Sequence, residues 1–475
     1  MSSGSGGHVT IVGGGITGLA AAWELERRGH LDYTLVEAEP RWGGKITTRT
    51  VTLADDGRCV VEGGPESFVT RKPQVWTLVH ELGLQSALRT PTSETSHMFV
   101  LHDGRPMPAP VSPAAFVTSS LLTPRGKLRM LAEPFRRARQ DPADESIADF
   151  VDRRLGRQAR ERFLGPVLGG IYSCDPTRAS ILVAAPLMRE MEHTSGSLVK
   201  GALVRARASA RERRVGQAPT RPRFVTLEGG AGRLVEAIVA QLRGDLALGV
   251  AVTALAAAEG GWRVTLSDGR TRHSRAVLFA APAPVAAGLL EGLAPESAHG
   301  LRQLRHTSIG TATLLYAAPA PALRRQIHGL MIPRDSGRLI DAISVISLKA
   351  PERFPAGALA IRVFFGGAAP DLVEAPDETL AAALCEEVGD LLGITRRPDE
   401  IVTFRWPGGF PQADVGHLDT VAAIEAALPL GLALAGSSYR GTGVPDCIRQ
   451  GREAAAALLE HPVTSQSPTT TQESA

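Results

Sequence analysis

Three glycines, Gly13, Gly15 and Gly18, stand in a G-x-G-x-x-G spacing between a strand and a helix. Residues 8–13 (HVTIVG) read as a buried strand, and residues 15–28 read as a helix. Ile16, Leu19, Ala20 and Trp23 fall at i, i+3, i+4 and i+7, which gives that helix one apolar face. Gly29 stands where a C-terminal cap is expected. Residues 33–37 (YTLVE) form a second strand and complete a βαβ opening. In this context Gly13 allows the tight turn, Gly15 lets the backbone approach a pyrophosphate, and Gly18 lets the helix pack close to the sheet. The helix start offers free N–H groups and partial positive charge to the phosphates. Glu37 ends the second strand, 19 residues after Gly18. An acid there accepts hydrogen bonds from ribose hydroxyls. The alternative is a glycine-rich turn without a ligand.

A second glycine pair follows directly in Arg41-Trp42-Gly43-Gly44-Lys45. A nicotinamide enzyme has no reason for it. A flavin dinucleotide extends further and needs a second loop close to its pyrophosphate, with Arg41 and Lys45 balancing charge. The bland reading is a surface turn.

The remaining composition narrows the class. A chain of 475 residues is long enough for two or three domains. Its 52 basic and 49 acidic residues nearly cancel, so charge gives no argument for nucleic acid. Cys59, Cys174, Cys385 and Cys447 are far apart, which excludes a disulfide scaffold and suits a reducing cytosol. No histidine pattern reads as a metal site. The first residues lack the charged and apolar regions of a signal peptide. Three long uncharged runs, 106–124, 276–290 and 306–323, are each interrupted by prolines, and none reads as a transmembrane helix.

Further along, residues 121–204 read as mostly helical. Residues 205–223 hold seven Arg, one Glu and two Pro and read as an exposed, mobile basic loop. Strands are expected at 262–266, 277–280, 311–316 and 359–365, a turn at 267–270, and helices at 378–392 and 446–459. A helix beginning near Asp446 offers its N-terminus to a developing negative charge, or else Asp446 is a plain N-cap. Tyr439 reads as pocket wall or core, and Cys447 as packing.

Several segments carry a family resemblance. They are the glycine turn, Gly43-Gly44-Lys45, residues 62–68 (EGGPESF), 169–175 (GGIYSCD), Phe404-Arg405-Trp406-Pro407 with Pro411-Gln412 and Gly416-His417, and residues 435–448 (AGSSYRGTGVPDCI). Together, and in this order, they resemble the bacterial oxygen-dependent porphyrinogen oxidases of the FAD-dependent amine-oxidase superfamily, over almost the whole chain. The wording of the Gly43-Gly44-Lys45 and Pro445-Asp446-Cys447 segments is nearest to the coproporphyrinogen oxidases.

The resemblance implies an α/β fold: a discontinuous FAD-binding Rossmann-like domain, a mixed-sheet substrate domain and a helical insertion. The expected divisions are FAD-binding parts at 8–88, 224–295 and 403–461, substrate-domain parts at 89–114 and 296–402, and the helical insertion at 115–205. The basic loop at 206–223 and a disordered tail at 462–475 complete the chain. The resemblance also implies FAD contacts from Gly13, Gly14, Gly15, Ile16, Thr17, Gly18, Glu37, Ala38, Arg41, Gly44 and Lys45, then from Gly64, Pro65, Glu66 and Ser67. Val252 is expected on the adenine side, and Trp406, Gly436, Thr442, Gly443 and Val444 around the flavin. Some members carry Arg where this chain has Glu66, so a propionate-pairing role is not carried over. No catalytic residue is assigned.

The implied reaction is oxidation of a porphyrinogen to the porphyrin by O2, giving H2O2, in haem synthesis. Coproporphyrinogen III is favoured over protoporphyrinogen IX. The expected location is the cytoplasm, with peripheral contact to the inner face of the membrane and transient contact with other haem-synthesis enzymes as further expectations. A related flavin desaturase or amine oxidase and a non-catalytic lipid-binding protein of this fold are the alternatives.

Overall fold

The computed structural model describes residues 7–54, 57–92, 98–214, 222–323 and 325–460. Its first layer is a parallel sheet in the order Asp245–Leu248, Tyr33–Glu37, Val9–Val12, Ala276–Phe279, Leu432–Leu434. The Val9–Val12 and Ala276–Phe279 strands are buried at every position. A parallel sheet covered on both faces requires such unbroken apolar strands. Helix Ile16–Arg27 packs on one face through Ile16, Leu19, Ala20 and Leu25. It ends in a Schellman motif: Gly29 (φ +79) donates to the Glu26 carbonyl and His30 to that of Leu25.

The second sheet runs in the order Glu400–Pro411, His306–Tyr316, Leu359–Phe365, Ile340–Val345, Gly329–Met331, Met98–His102, Arg105–Pro108. It is mixed, because Gly329–Met331 pairs parallel to Met98–His102 while its other ladders are antiparallel. Helix Asp377–Leu392 covers part of it. Between residues 113 and 214 the chain is helical around a core of Ile147, Phe150, Val151 and Ile181.

The expected strands and helices appear at these places, with two corrections. Helix Leu198–Arg214 extends ten residues into the segment expected to be a basic loop. Arg and Ala are strong helix formers, and they outweigh the scarcity of apolar residues. Residues 215–221 of that segment, and the expected tail at 462–475, lie outside the described residues. The C-terminal helix runs Val444–Glu460, so Asp446 stands inside its first turn and is not its N-cap. Five of the expected domain divisions also cut regular elements, those at 88/89, 205/206 and 295/296 among them. The one at 402/403 falls inside strand Glu400–Pro411, and the one at 114/115 inside helix Pro113–Thr118.

Candidate functional site

The glycine turn leaves the carboxyl end of Val9–Val12, where open α/β sheets bind ligands. Gly13 has φ +109, and a Cβ there would stand 2.9 Å from the Ala280 carbonyl. A Cβ on Gly18 would stand 1.9 Å from the Gly13 oxygen, so only glycine lets helix and turn meet. Gly15 differs: a Cβ there would meet nothing within 4 Å. The packing therefore explains Gly13 and Gly18 and leaves Gly15 facing open space. A larger open cleft, about 580 Å³, surrounds His8, Tyr33, Arg243 and Asp245 at the opposite end of the same strands. Its position at the amino ends sets it apart from the site.

The second glycine pair closes onto the first. Gly43 donates to the Gly14 carbonyl at 2.8 Å, and Gly15 bridges Gly43. The Glu37 carboxylate accepts from the Gly14 amide at 2.7 Å and from the Glu39 amide at 2.8 Å, which ties the acid to the turn. Val250 donates to the Glu37 carbonyl at 2.9 Å and so brings the start of strand Val252–Ala258 beside the acid. Lys45 is half-buried, and burial pushes its ammonium below the usual lysine range. Among the described residues it has no ion pair. Ala38 and Arg41 lie exposed at the rim.

Gly64 backs directly onto Lys45: a Cβ on Gly64 would stand 1.9 Å from the Lys45 oxygen. The Gly63 and Gly64 carbonyls each accept from the wholly buried Arg362 at 2.6 Å. Gly63 also accepts from the Thr311 hydroxyl at 2.9 Å. Below them Glu62 accepts from the Ala231 amide at 2.6 Å and from Thr48, while burial raises its pKa against the pull of Arg353. Pro65, Glu66 and Ser67 continue this loop. Glu66 and Ser67 border a cavity of about 210 Å³ whose wall is mainly apolar, with Phe224, Met98 and Met331 around it. A Cβ on Gly170 would stand 3.0 Å from the Met331 sulfur, so the helix carrying the 169–175 motif abuts this wall.

The C-terminal motif closes the turn from behind. Gly451 lies against the Thr17 carbonyl, 2.2 Å from where its Cβ would stand, and so fixes the spacing of the first and last helices. Gly436 lies 3.8 Å from Thr17 Oγ1 by the same measure. Thr442 and Gly443 lead into Val444–Glu460, and the Asp446 carboxylate pairs with Lys72 at 2.5 Å. The Cys447 thiol is pushed up to about 11 by burial and stays protonated at neutral pH. Tyr439 is buried core. Trp406 stacks on Phe404 at 6.3 Å, and Phe404 fills the space beside Gly63, where a Cβ would stand 2.5 Å from its ring.

The profile of the flavin-containing amine oxidoreductases matches residues 16–459. The chain belongs to that family. Among its relatives, the coproporphyrinogen III oxidase of Bacillus subtilis (strain 168) is 32% identical over 96% of this chain and 98% of its own length. That of Propionibacterium freudenreichii subsp. freudenreichii is also 32% identical, over 95% of this chain and 91% of its own. An Exiguobacterium sp. 255-15 protein, assigned by name to the protoporphyrinogen oxidases, superposes with a TM-score of 0.82 at 28% identity. The match covers 97% of this chain and all of that one.

The residues present fit the flavin that this membership implies. Gly15 opens onto free space, and the half-buried ammonium of Lys45, which follows the glycine pair bridged to Gly15, has no ion pair among the described residues. A diphosphate is the group that would satisfy both. As an amine oxidoreductase by family, the chain also holds residues that its sequence motifs do not flag. Arg362 supports the 63–64 loop from another layer. His306 accepts from or donates to Ser438 Oγ at 3.1 Å, and burial lowers its pKa with Lys45 adding to the effect. Both stand on expected strands or extend them, yet only the fold brings Arg362 to the 63–64 loop and His306 to Ser438. Among the described residues no cluster of His, Cys, Asp or Glu is arranged to hold a metal ion.

Proposed function

We propose that the chain is an FAD-dependent oxidase that converts coproporphyrinogen III to coproporphyrin III, with three O2 consumed and three H2O2 formed per porphyrin. Protoporphyrinogen IX is the less favoured substrate. The full-length likeness to coproporphyrinogen III oxidases carries this reading. The site geometry supports it, because a mainly apolar cavity borders the 63–67 loop and suits one edge of a large, apolar tetrapyrrole. Bound FAD supplies the two-electron acceptor that O2 restores. On this reading Gly13–Gly18 and Lys45 hold the diphosphate, and Glu37 takes the ribose hydroxyls beside Val252. Gly64 to Ser67, Gly436 and Thr442 to Val444 border the ring system. Arg362 fixes the carbonyls of Gly63 and Gly64, and the apolar wall excludes water. Aromatisation of the macrocycle provides the driving force, so the protein's work is positioning.

No helix among the described residues is long and apolar enough to cross a membrane. The helical insertion instead exposes Leu128, Leu131, Phe135, Leu203 and Val204, with Arg125, Arg205 and Arg207 also exposed. Large exposed apolar side chains beside cations suit an anionic lipid surface. We infer a cytoplasmic enzyme that touches the membrane peripherally through this insertion.

Oxygen uptake by the purified yellow protein tests the reaction. The expected result is release of FAD on heating and about three O2 per coproporphyrin formed. A tightly held flavin with no oxidation of either porphyrinogen would move the reading to a desaturase or amine oxidase.

A further inference from the structure

One cation in the 210 Å³ cavity lacks an anion. Helix Ile346–Lys349 follows strand Ile340–Val345, and its last residue turns into this cavity. The Lys349 ammonium donates to Ser344 Oγ at 2.6 Å. No carboxylate among the described residues lies within ion-pair distance of it. The neighbouring charges do not balance. Arg353 faces Glu62 at 3.4 Å and also holds the Thr226 hydroxyl. Buried Arg362 senses both Glu62 and Glu66, and Glu66 acts on Lys349 only at longer range. Three cations (Lys349, Arg353, Arg362) therefore share two carboxylates (Glu62, Glu66), leaving one positive charge in excess. Burial pushes the Lys349 ammonium below the usual lysine range. A desolvated charge without a partner is costly. An unpaired ammonium in a mainly apolar cavity is thus arranged for an anion that arrives with a ligand.

The volume limits what enters. At about 210 Å³ the cavity is smaller than the ~300–1,000 Å³ that enclose a whole drug-sized ligand, so it takes one edge of a larger molecule. Resting on the function proposed above, that edge carries a propionate. We propose that Lys349 anchors a rim carboxylate of the tetrapyrrole. Every pyrrole ring of coproporphyrinogen III carries a propionate, whereas protoporphyrinogen IX has vinyl groups on half of its rings. Whichever edge of the first enters, Lys349 meets a carboxylate. A vinyl edge of the second leaves it unpaired.

The test uses the full FAD-loaded chain with Lys349→Gln and Lys349→Arg. KM and kcat are measured for both porphyrinogens. Binding of coproporphyrin III and of its tetramethyl ester is measured by fluorescence quenching. Lys349→Gln is expected to raise KM for coproporphyrinogen about tenfold, with kcat little changed, and to weaken coproporphyrin binding about as much. Ester binding stays as in the wild type, and Lys349→Arg recovers most of the loss. Wild-type affinity for coproporphyrin in a folded, yellow Lys349→Gln would overturn the anchor, as would equal weakening of acid and ester. If Lys349→Gln does not fold, the wild type and Lys349→Arg decide, because equal affinity for acid and ester then overturns the proposal. Turnover reads the function separately: coproporphyrin binding through Lys349 without oxidation of any porphyrinogen keeps the anchor and removes the reaction.

Discussion

Gly15 and Gly18 look alike in the motif and separate in the fold. A methyl at position 18 collides with the Gly13 oxygen, so Gly18→Ala should cost more than ~3 kcal/mol of stability, seen as a large fall in the urea midpoint. A methyl at position 15 enters open space. Gly15→Ala should therefore leave the apoprotein within about 0.5 kcal/mol of wild type while flavin binding falls. A Gly15→Ala protein that stays fully yellow would remove the diphosphate from this turn. Arg362→Met takes the guanidinium donor from the Gly64 carbonyl and leaves the Gly63 carbonyl with Thr311 alone, and should destabilise the folded chain by about 2–4 kcal/mol in the same unfolding assay. The glycines and Glu37 were legible because their roles depend on spacing within one βαβ unit. Arg362 and Lys349 were not, since Arg362 holds a loop almost 300 residues away in sequence and Lys349 faces a cavity walled by residues as distant as Glu66 and Met98. Nothing local distinguishes a buried arginine on a strand from an exposed one.

Elements were legible where periodicity is strong and illegible where capping decides. Pro445 at the second position of the last helix is the signal that places its start before Asp446, and it outweighs the capping preference of the acid. In the insertion, what the sequence shows as scattered Arg and Glu is a buried network. The Glu192 carboxylate takes Arg153 and Arg189, and Glu133 takes Arg154 with the Ser197 hydroxyl and the Leu198 amide. Burial alone would raise the Glu192 pKa, but the hydrogen bonds from Arg153 and its neighbours bring it down to about 2. A carboxylate lowered in the fold stabilises it above the unfolded value of 4.5 and loses that contribution as pH falls through 4.5 towards 2. The melting temperature should therefore drop over this window, and Glu192→Gln should flatten the drop while lowering the melting temperature at neutral pH. Unchanged acid sensitivity in Glu192→Gln would assign it to other carboxylates.

At the scale of the whole molecule, two sheets meet with the 63–67 loop between them. The parallel sheet presents the glycine turn, and the mixed sheet presents Arg362, Lys349 and the apolar wall. The strand Glu400–Pro411 runs across the division expected at 402/403, because sheet pairing ignores lines drawn from a family resemblance. The exposed apolar side chains of the insertion predict flotation with anionic vesicles, reduced by Phe135→Asp and by added salt. Flotation unaffected by either would separate the insertion from the membrane. The central claim is an oxidase built for a porphyrinogen with carboxylates around its rim. The most direct measurement gives the anaerobically prepared enzyme coproporphyrinogen III and protoporphyrinogen IX in parallel, admits air, and follows the flavin spectrum and porphyrin fluorescence. The account predicts flavin reduction by both substrates and kcat/KM for coproporphyrinogen III at least about tenfold higher. Faster oxidation of protoporphyrinogen IX, or a flavin that neither substrate reduces, would contradict it.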